Sequence, residues 1–196
     1  MNNLQTQLYH SSEKLFVLKN KNEVIPIKLI ESHLLDGDHL WLIDGNRCKT
    51  KNGLFKEFQT KMFFPDYFGK NWDALIECMG DLAWINRHRT MKRTMKSQSH
   101  FIIISNACKL LELNTKDRKI FIDILSFIED CWSSELNGRK GVYRTIFSCS
   151  SHEYATVIDM LAECGVTYSD LCPCSDSLKE PENTKIESEE GDQCQC

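Results

Sequence analysis

Hydrophobic positions change their period several times along the chain, and each change marks an element. The run Leu40-Trp41-Leu42-Ile43 is short and continuously apolar, the pattern of a strand buried on both faces, and Phe101-Ile102-Ile103-Ile104 repeats it. Val142 to Ser148 (VYRTIFS) predicts a third strand. Between these runs the spacing becomes helical. Leu54, Phe58 and Met62, with Phe55 alongside, fall at i, i+4 and i+8 and predict a helix over 53–62. Ile120, Phe121, Ile124, Leu125, Ile128, Cys131 and Trp132 form the clearest helical stripe, opened by Asn114-Thr115 and closed by Asn137-Gly138. Ser150 and Glu153 have capping-box spacing, and Tyr154, Val157, Ile158 and Leu161 stripe a last helix over 151–164, stopped at Gly165. Three strands separated by helical stretches predict an α/β fold with right-handed crossovers and a small parallel sheet.

The ends read differently. Residues 1 to 12 are polar and predict a loosely held leader. Lys14 to Lys19 (KLFVLK) and Glu23 to Ile30 (EVIPIKLI), joined by Asn20-Lys21-Asn22, predict an added N-terminal β-hairpin whose second strand, carrying Pro26, lies at an edge. From Tyr168 onward, low hydrophobicity, two prolines and an excess of acids predict disorder. The expected organisation is an extension over 1–39, a globular domain over 40–167 and an acidic, cysteine-containing tail over 168–196.

One stretch combines an unusual turn with an unusual helix. Pro65-Asp66-Tyr67-Phe68-Gly69 brackets two aromatics between turn formers, and Asn71 then caps a helix carrying Trp72, Leu75 and Met79 on one side. At about 100° per residue, Asp73, Glu77 and Asp81 fall together on the opposite side. Acids on the outer face of an amphipathic helix are ordinarily just solvated. Aromatics beside acids are more typical of interfaces, which makes this stretch the candidate docking surface.

Charge sharpens this picture. The chain has 196 residues and a formal net charge of −4, but residues 170–196 hold eight acids against two lysines, so the rest carries +2. A basic cluster (Arg87, Arg89, Lys92, Arg93, Lys96) follows the candidate helix. There is no basic-then-apolar signal segment and no apolar run of the ~18–20 residues that a membrane span needs, so a cytoplasmic location without membrane partners is expected. Of ten cysteines, Cys48, Cys78, Cys108, Cys131, Cys149 and Cys164 sit among apolar residues and read as buried free thiols of a reducing compartment.

The string Leu42-Ile43-Asp44-Gly45, then Leu54 and Phe58, then Pro65-Asp66-Tyr67-Phe68-Gly69-Lys70-Asn71-Trp72-Asp73-Ala74-Leu75 resembles the barstar family, intracellular inhibitors of the ribonuclease barnase. Cys78 to Ile85 and Ser105-Asn106-Ala107 extend the resemblance, which covers residues 40–149. It implies a barstar-like three-stranded parallel sheet flanked by helices, no catalytic activity and no cofactor. It also implies a ribonuclease partner, secreted or a toxin, bound 1:1, with the chain serving as its inhibitor or immunity protein. Carried over by residue, the resemblance makes Tyr67, Phe68 and Gly69 an aromatic wall, with Asn71, Trp72 and Asp73 at its mouth. Glu77 takes the place of the carboxylate that enters the phosphate pocket, Ile76, Gly80 and Asp81 continue that edge, and Asp130 is the nearest match to a further family acid, with Glu129 adjacent. Carboxylates suit such a partner because a ribonuclease groove is lined with cations that bind phosphate.

The chain also departs from the family. Glu77 stands where the family has the shorter aspartate, Lys70 replaces an acid, and Ile76 replaces a tryptophan. Residues 40–150 hold 18 Lys and Arg against 12 Asp and Glu, a basic domain where the family's is acidic. The alternative function is therefore a non-inhibitory protein- or RNA-interaction module on the same scaffold, using the basic segment 87–96. That segment lacks stacking aromatics, so nucleic acid is not the expected partner. Cys172-Pro-Cys174 and Cys194-Gln-Cys196 depart from the usual two-residue zinc-knuckle spacing, so no metal is expected. The histidines pair with no nucleophile motif, and neighbouring exposed carboxylates have no burial to split their pKa values, so an enzyme is not expected.

Overall fold

A computed structural model describes residues 3–20, 27–81, 99–133 and 141–171. Its core is an all-parallel sheet of five strands: β1 (Leu15–Asn20), β2 (His39–Asp44), β3 (His100–Ser105), β4 (Tyr143–Ser150) and β5 (Ser169–Leu171), in the order β2-β3-β4-β1-β5. The expected parallel α/β architecture is present, but with five strands where three were predicted.

The two extra strands come from the segments set aside as extension and tail. β1 is not one arm of a hairpin. It lies between β4 and β5, parallel to both, with Leu15 opposite Thr145 and Phe16 opposite Ser169. Its four consecutive apolar residues, Leu15 to Leu18, are all buried, as befits an interior strand covered on both faces. The would-be second arm is partly helical: Ile27–Glu31 forms the short helix α2, which buries Ile30; residues 21–26, including Pro26, lie outside the described residues. Nor are residues 3–10 a loose leader. Asn3–His10 is helix α1, seated through Leu4 and Leu8 one turn apart. At the other end, Ser169–Leu171 pairs with β1 instead of being disordered. The tail cysteines 172, 174, 194 and 196 and the basic segment 87–96 lie outside the described residues.

Four helices, α3 (Lys51–Lys61), α4 (Trp72–Asp81), α5 (Thr115–Ser133) and α6 (Tyr154–Cys164), cover one face of the sheet. α1 and α2 cover the other, against Phe16, Leu18, Phe101, Ile103 and Ile146. β2 is an edge strand, so Trp41 and Ile43 are buried while Leu40 and Leu42 are only partly covered, short of the double burial predicted. Gly45, after β2, allows the chain to pass against β3's exit: a Cβ there would come 2.3 Å from the Asn106 carbonyl oxygen.

A buried ion pair fastens the N-terminal helix to this frame. Arg144 on β4 pairs with Glu129 on α5, and both are almost wholly buried. The same guanidinium donates to the Leu8 carbonyl at 3.1 Å and the Ser11 carbonyl at 3.0 Å. One side chain thus joins the sheet, α5 and the end of α1.

Candidate functional site

The docking surface starts where α3 ends. Phe63 adopts a left-handed backbone (φ 54°), which turns the chain so that Phe64 enters the core. Phe68 N–H donates to the Pro65 carbonyl at 2.9 Å, closing the turn predicted over 65–69. Lys70 takes a second left-handed conformation (φ 51°), and Asn71 Oδ1 then accepts from Ala74 N–H at 2.8 Å. Asn71 is therefore the N-cap of α4, as the sequence pattern predicts. Gly69 lies close over this cap, where a Cβ would approach Asn71 Nδ2 to 3.2 Å.

The two turn aromatics separate. Tyr67 stands at the apex, 81% exposed. Phe68 is buried, with its ring 5.0 Å from Phe64 and 5.9 Å from Phe55, so it supports the turn from below and is no part of an exposed wall. Trp72 is half-buried, edge-on to Phe55 at 4.9 Å, and Lys51 Nζ sits 4.7 Å over its ring. That lysine was not singled out from the sequence, although its i, i+4 spacing to Phe55 was a readable sign.

α4 buries Leu75, Cys78 and Met79 and leaves Asp73, Glu77 and Asp81 exposed, as the helical wheel predicts. Ile76 and Gly80 are intermediate, and Gly80 faces Ile128 of α5. Trp132 Nε1 donates to the Met79 carbonyl at 3.4 Å, fixing the end of α4 to α5. None of the three α4 acids forms an ion pair with another described residue. Their field is nonetheless felt: burial first, then the Glu77 and Asp81 carboxylates, pushes the Cys78 thiol up to about 11.

Asp130 is exposed near the end of α5, two residues beyond Gly80's neighbour Ile128, and is engaged by Lys14 at 2.5 Å. The adjacent Glu129 turns inward to Arg144. Among the described residues no three His, Cys, Asp or Glu side chains are grouped to hold a metal ion, and no described helix is long and apolar enough to cross a membrane. The arrangement presents one exposed tyrosine on the turn and three exposed carboxylates on the helix after it, which packs against Phe55 of α3 and Trp132 of α5. Chemically, it can receive cations.

A family model described as Barstar (barnase inhibitor) matches residues 39–147. No curated protein matches the chain at a significant level. Among solved structures, the Aeropyrum pernix ORC2 protein is similar at 9% identity and a TM-score of 0.47, over 87% of this chain and 44% of that one. The structure of Drosophila ORC bound to AT-rich DNA and Cdc6 is similar at 9% identity and a TM-score of 0.44, over 87% and 51%. The chain spans about half the length of these chains.

Proposed function

The chain belongs to the barstar (barnase inhibitor) family, and from that membership we propose that it binds a ribonuclease 1:1 and blocks its active site with α4 and the preceding turn. The observation that carries this reading is the set of exposed carboxylates Asp73, Glu77 and Asp81, on the helix that follows the exposed Tyr67. Forming no ion pair with another described residue, they can meet the cations of a phosphate-binding groove, where charge-assisted pairs are strengthened by the exclusion of water. Tyr67 supplies a large contact surface with little side-chain entropy to lose. Gly69, Asn71 and Trp72 shape the mouth of the surface, and Ile76 and Gly80 line its edge. Phe68 contributes by holding the turn.

The role is one of binding, without catalysis, and the site of action is the cytoplasm, where an uncontrolled ribonuclease would do harm. Free thiols at Cys48, Cys78, Cys149 and Cys164, all buried, accord with a reducing compartment. Lys51 lies over the Trp72 ring and Lys70 immediately precedes the Asn71 cap, so the partner's surface should carry an acid of its own facing the mouth of the turn. The test is titration against small ribonucleases with calorimetry and activity measured together. Stoichiometric inhibition supports the reading. Binding to RNA in place of any ribonuclease would instead favour the interaction-module alternative.

A further inference from the structure

α4 by itself is an incomplete interface. It offers three carboxylates and, at its edge, the half-covered Ile76, but none of its large apolar side chains is exposed. A stable 1:1 interface covers roughly 800 Å² on each side and sets an apolar centre inside a polar rim. Large exposed apolar side chains gather around α4 and its neighbour α5. Phe63 and Tyr67 stand in the turn before α4, Leu113 just before α5, and Ile120 and Phe127 on α5 itself. Leu35, in the turn after α2, is the exception among the described residues.

The two helices run side by side in the same direction. The Trp72 ring, at the start of α4, lies 6.4 Å from that of Phe121; at its end a Cβ on Gly80 would lie 3.8 Å from Ile128 Cδ1. Asp73 is therefore level with the turn of α5 that carries Ile120, and Glu77 with the turn that carries Phe127. At about 100° per residue, Ile128, Ile124, Ile120 and Phe127 follow one another around α5, away from α4 and outward. Exposure rises in that order: Ile128 and Ile124 are buried, Ile120 is 41% exposed and Phe127 51%. An apolar ridge thus runs alongside the row of α4 acids.

Charge decides what this ridge fits. On the α4 side it is bordered by Asp73, Glu77 and Asp81, none of them paired with a described cation. Beyond it on α5 come Asp123 and Asp130, already held by Lys119 and Lys14. The border is anionic on one side and neutralised on the other, which suits a partner whose cations adjoin an apolar patch. We propose that Ile120 and Phe127 form the apolar half of the ribonuclease-binding surface and set its specificity, an inference that rests on the proposed role of α4. Cations that bind phosphate are common to ribonuclease grooves, whereas the surface beside the groove differs, so the ridge discriminates where the acids cannot.

The experiment is calorimetry of full-length variants with the small ribonuclease that the chain inhibits, barnase being the first tried. Phe127→Ala should weaken binding about tenfold and make the heat-capacity change less negative. Phe127→Leu should keep most of the affinity, and Leu35→Ala all of it. Added salt should shrink the loss at Glu77→Ala and leave that at Phe127→Ala. These side chains are exposed, so urea midpoints should match the parent's and the losses report on binding. A Phe127→Ala chain that binds like its parent, while Glu77→Ala weakens, would overturn this inference and leave the role of α4 standing. Unchanged binding in both variants would overturn the two together. In the ultracentrifuge the free chain should be monomeric; a dimer that Phe127→Asp dissociates would give the ridge to a second copy and overturn its assignment to a ribonuclease.

Discussion

Glu77→Ala separates binding from folding more cleanly than any other change on the proposed surface. The side chain is exposed at the middle of α4 and forms no ion pair with another described residue, so removing it breaks no such pair among them. Alanine is also the better helix former, so stability should stay within about 0.5 kcal/mol. In a complex, a carboxylate about 4 Å from a cation at an effective dielectric of about 20 gains roughly 4 kcal/mol before desolvation is subtracted. Allowing for that penalty, about 2 kcal/mol should be lost, a weakening of roughly 30-fold. Asp130→Ala sets the internal scale. Its carboxylate already has Lys14, so in binding it must exchange one cation for another and should count for less than about 1 kcal/mol. Calorimetry on both variants, with urea unfolding of each, makes the comparison. Equal losses at the two positions, or a Glu77→Ala protein that binds as tightly as its parent, would refute the placement of Glu77 against a cation.

Three further outcomes follow from the fold. Glu129→Ala leaves the Arg144 charge buried and unpaired and should cost about 3–5 kcal/mol in urea unfolding, whereas the adjacent, exposed Asp130→Ala should be nearly neutral. Deleting residues 1–12 exposes the seats of Leu4 and Leu8, each worth about 1.5–3 kcal/mol, so the truncated chain should unfold at markedly lower urea; an unchanged midpoint would return this segment to a loose leader. Hydrogen bonds from Cys108 and then Ser150 hold the Glu153 carboxyl down at about 2, below its ordinary 4.5. Its contribution is thus present above pH 4.5 and lost as pH falls toward 2, and Glu153→Gln should flatten that acid limb of the stability curve.

The parts read correctly from the sequence share a strong local signal. β3 declared itself by four consecutive apolar residues, and α4 by a cap, a stripe and a matching polar face. The misreadings came where local signals conflicted or were brief. Leu15 to Leu18 has the continuous apolar run of an interior strand, but Asn20-Lys21-Asn22 looks like a hairpin turn, and the competing partners, β4 and β5, are more than a hundred residues away. β5 is three residues long, and only Leu171 of it is buried. Leu4 and Leu8 did carry helical spacing, within a helix of eight residues. On the candidate surface, the wheel identified the three exposed acids but could not separate Tyr67 from Phe68. That distinction depends on Phe55 and Phe64 closing over one ring and leaving the other outside.

The central claim is that α4 and its turn plug a ribonuclease. Its most direct test is the residual activity of a candidate small ribonuclease titrated with the full chain. Activity should fall linearly to zero at one equivalent, and a Asp73→Ala, Glu77→Ala double variant should shift the same titration to large excess. Full ribonuclease activity at every ratio, across the partners encoded with or encountered by its host, would contradict the account.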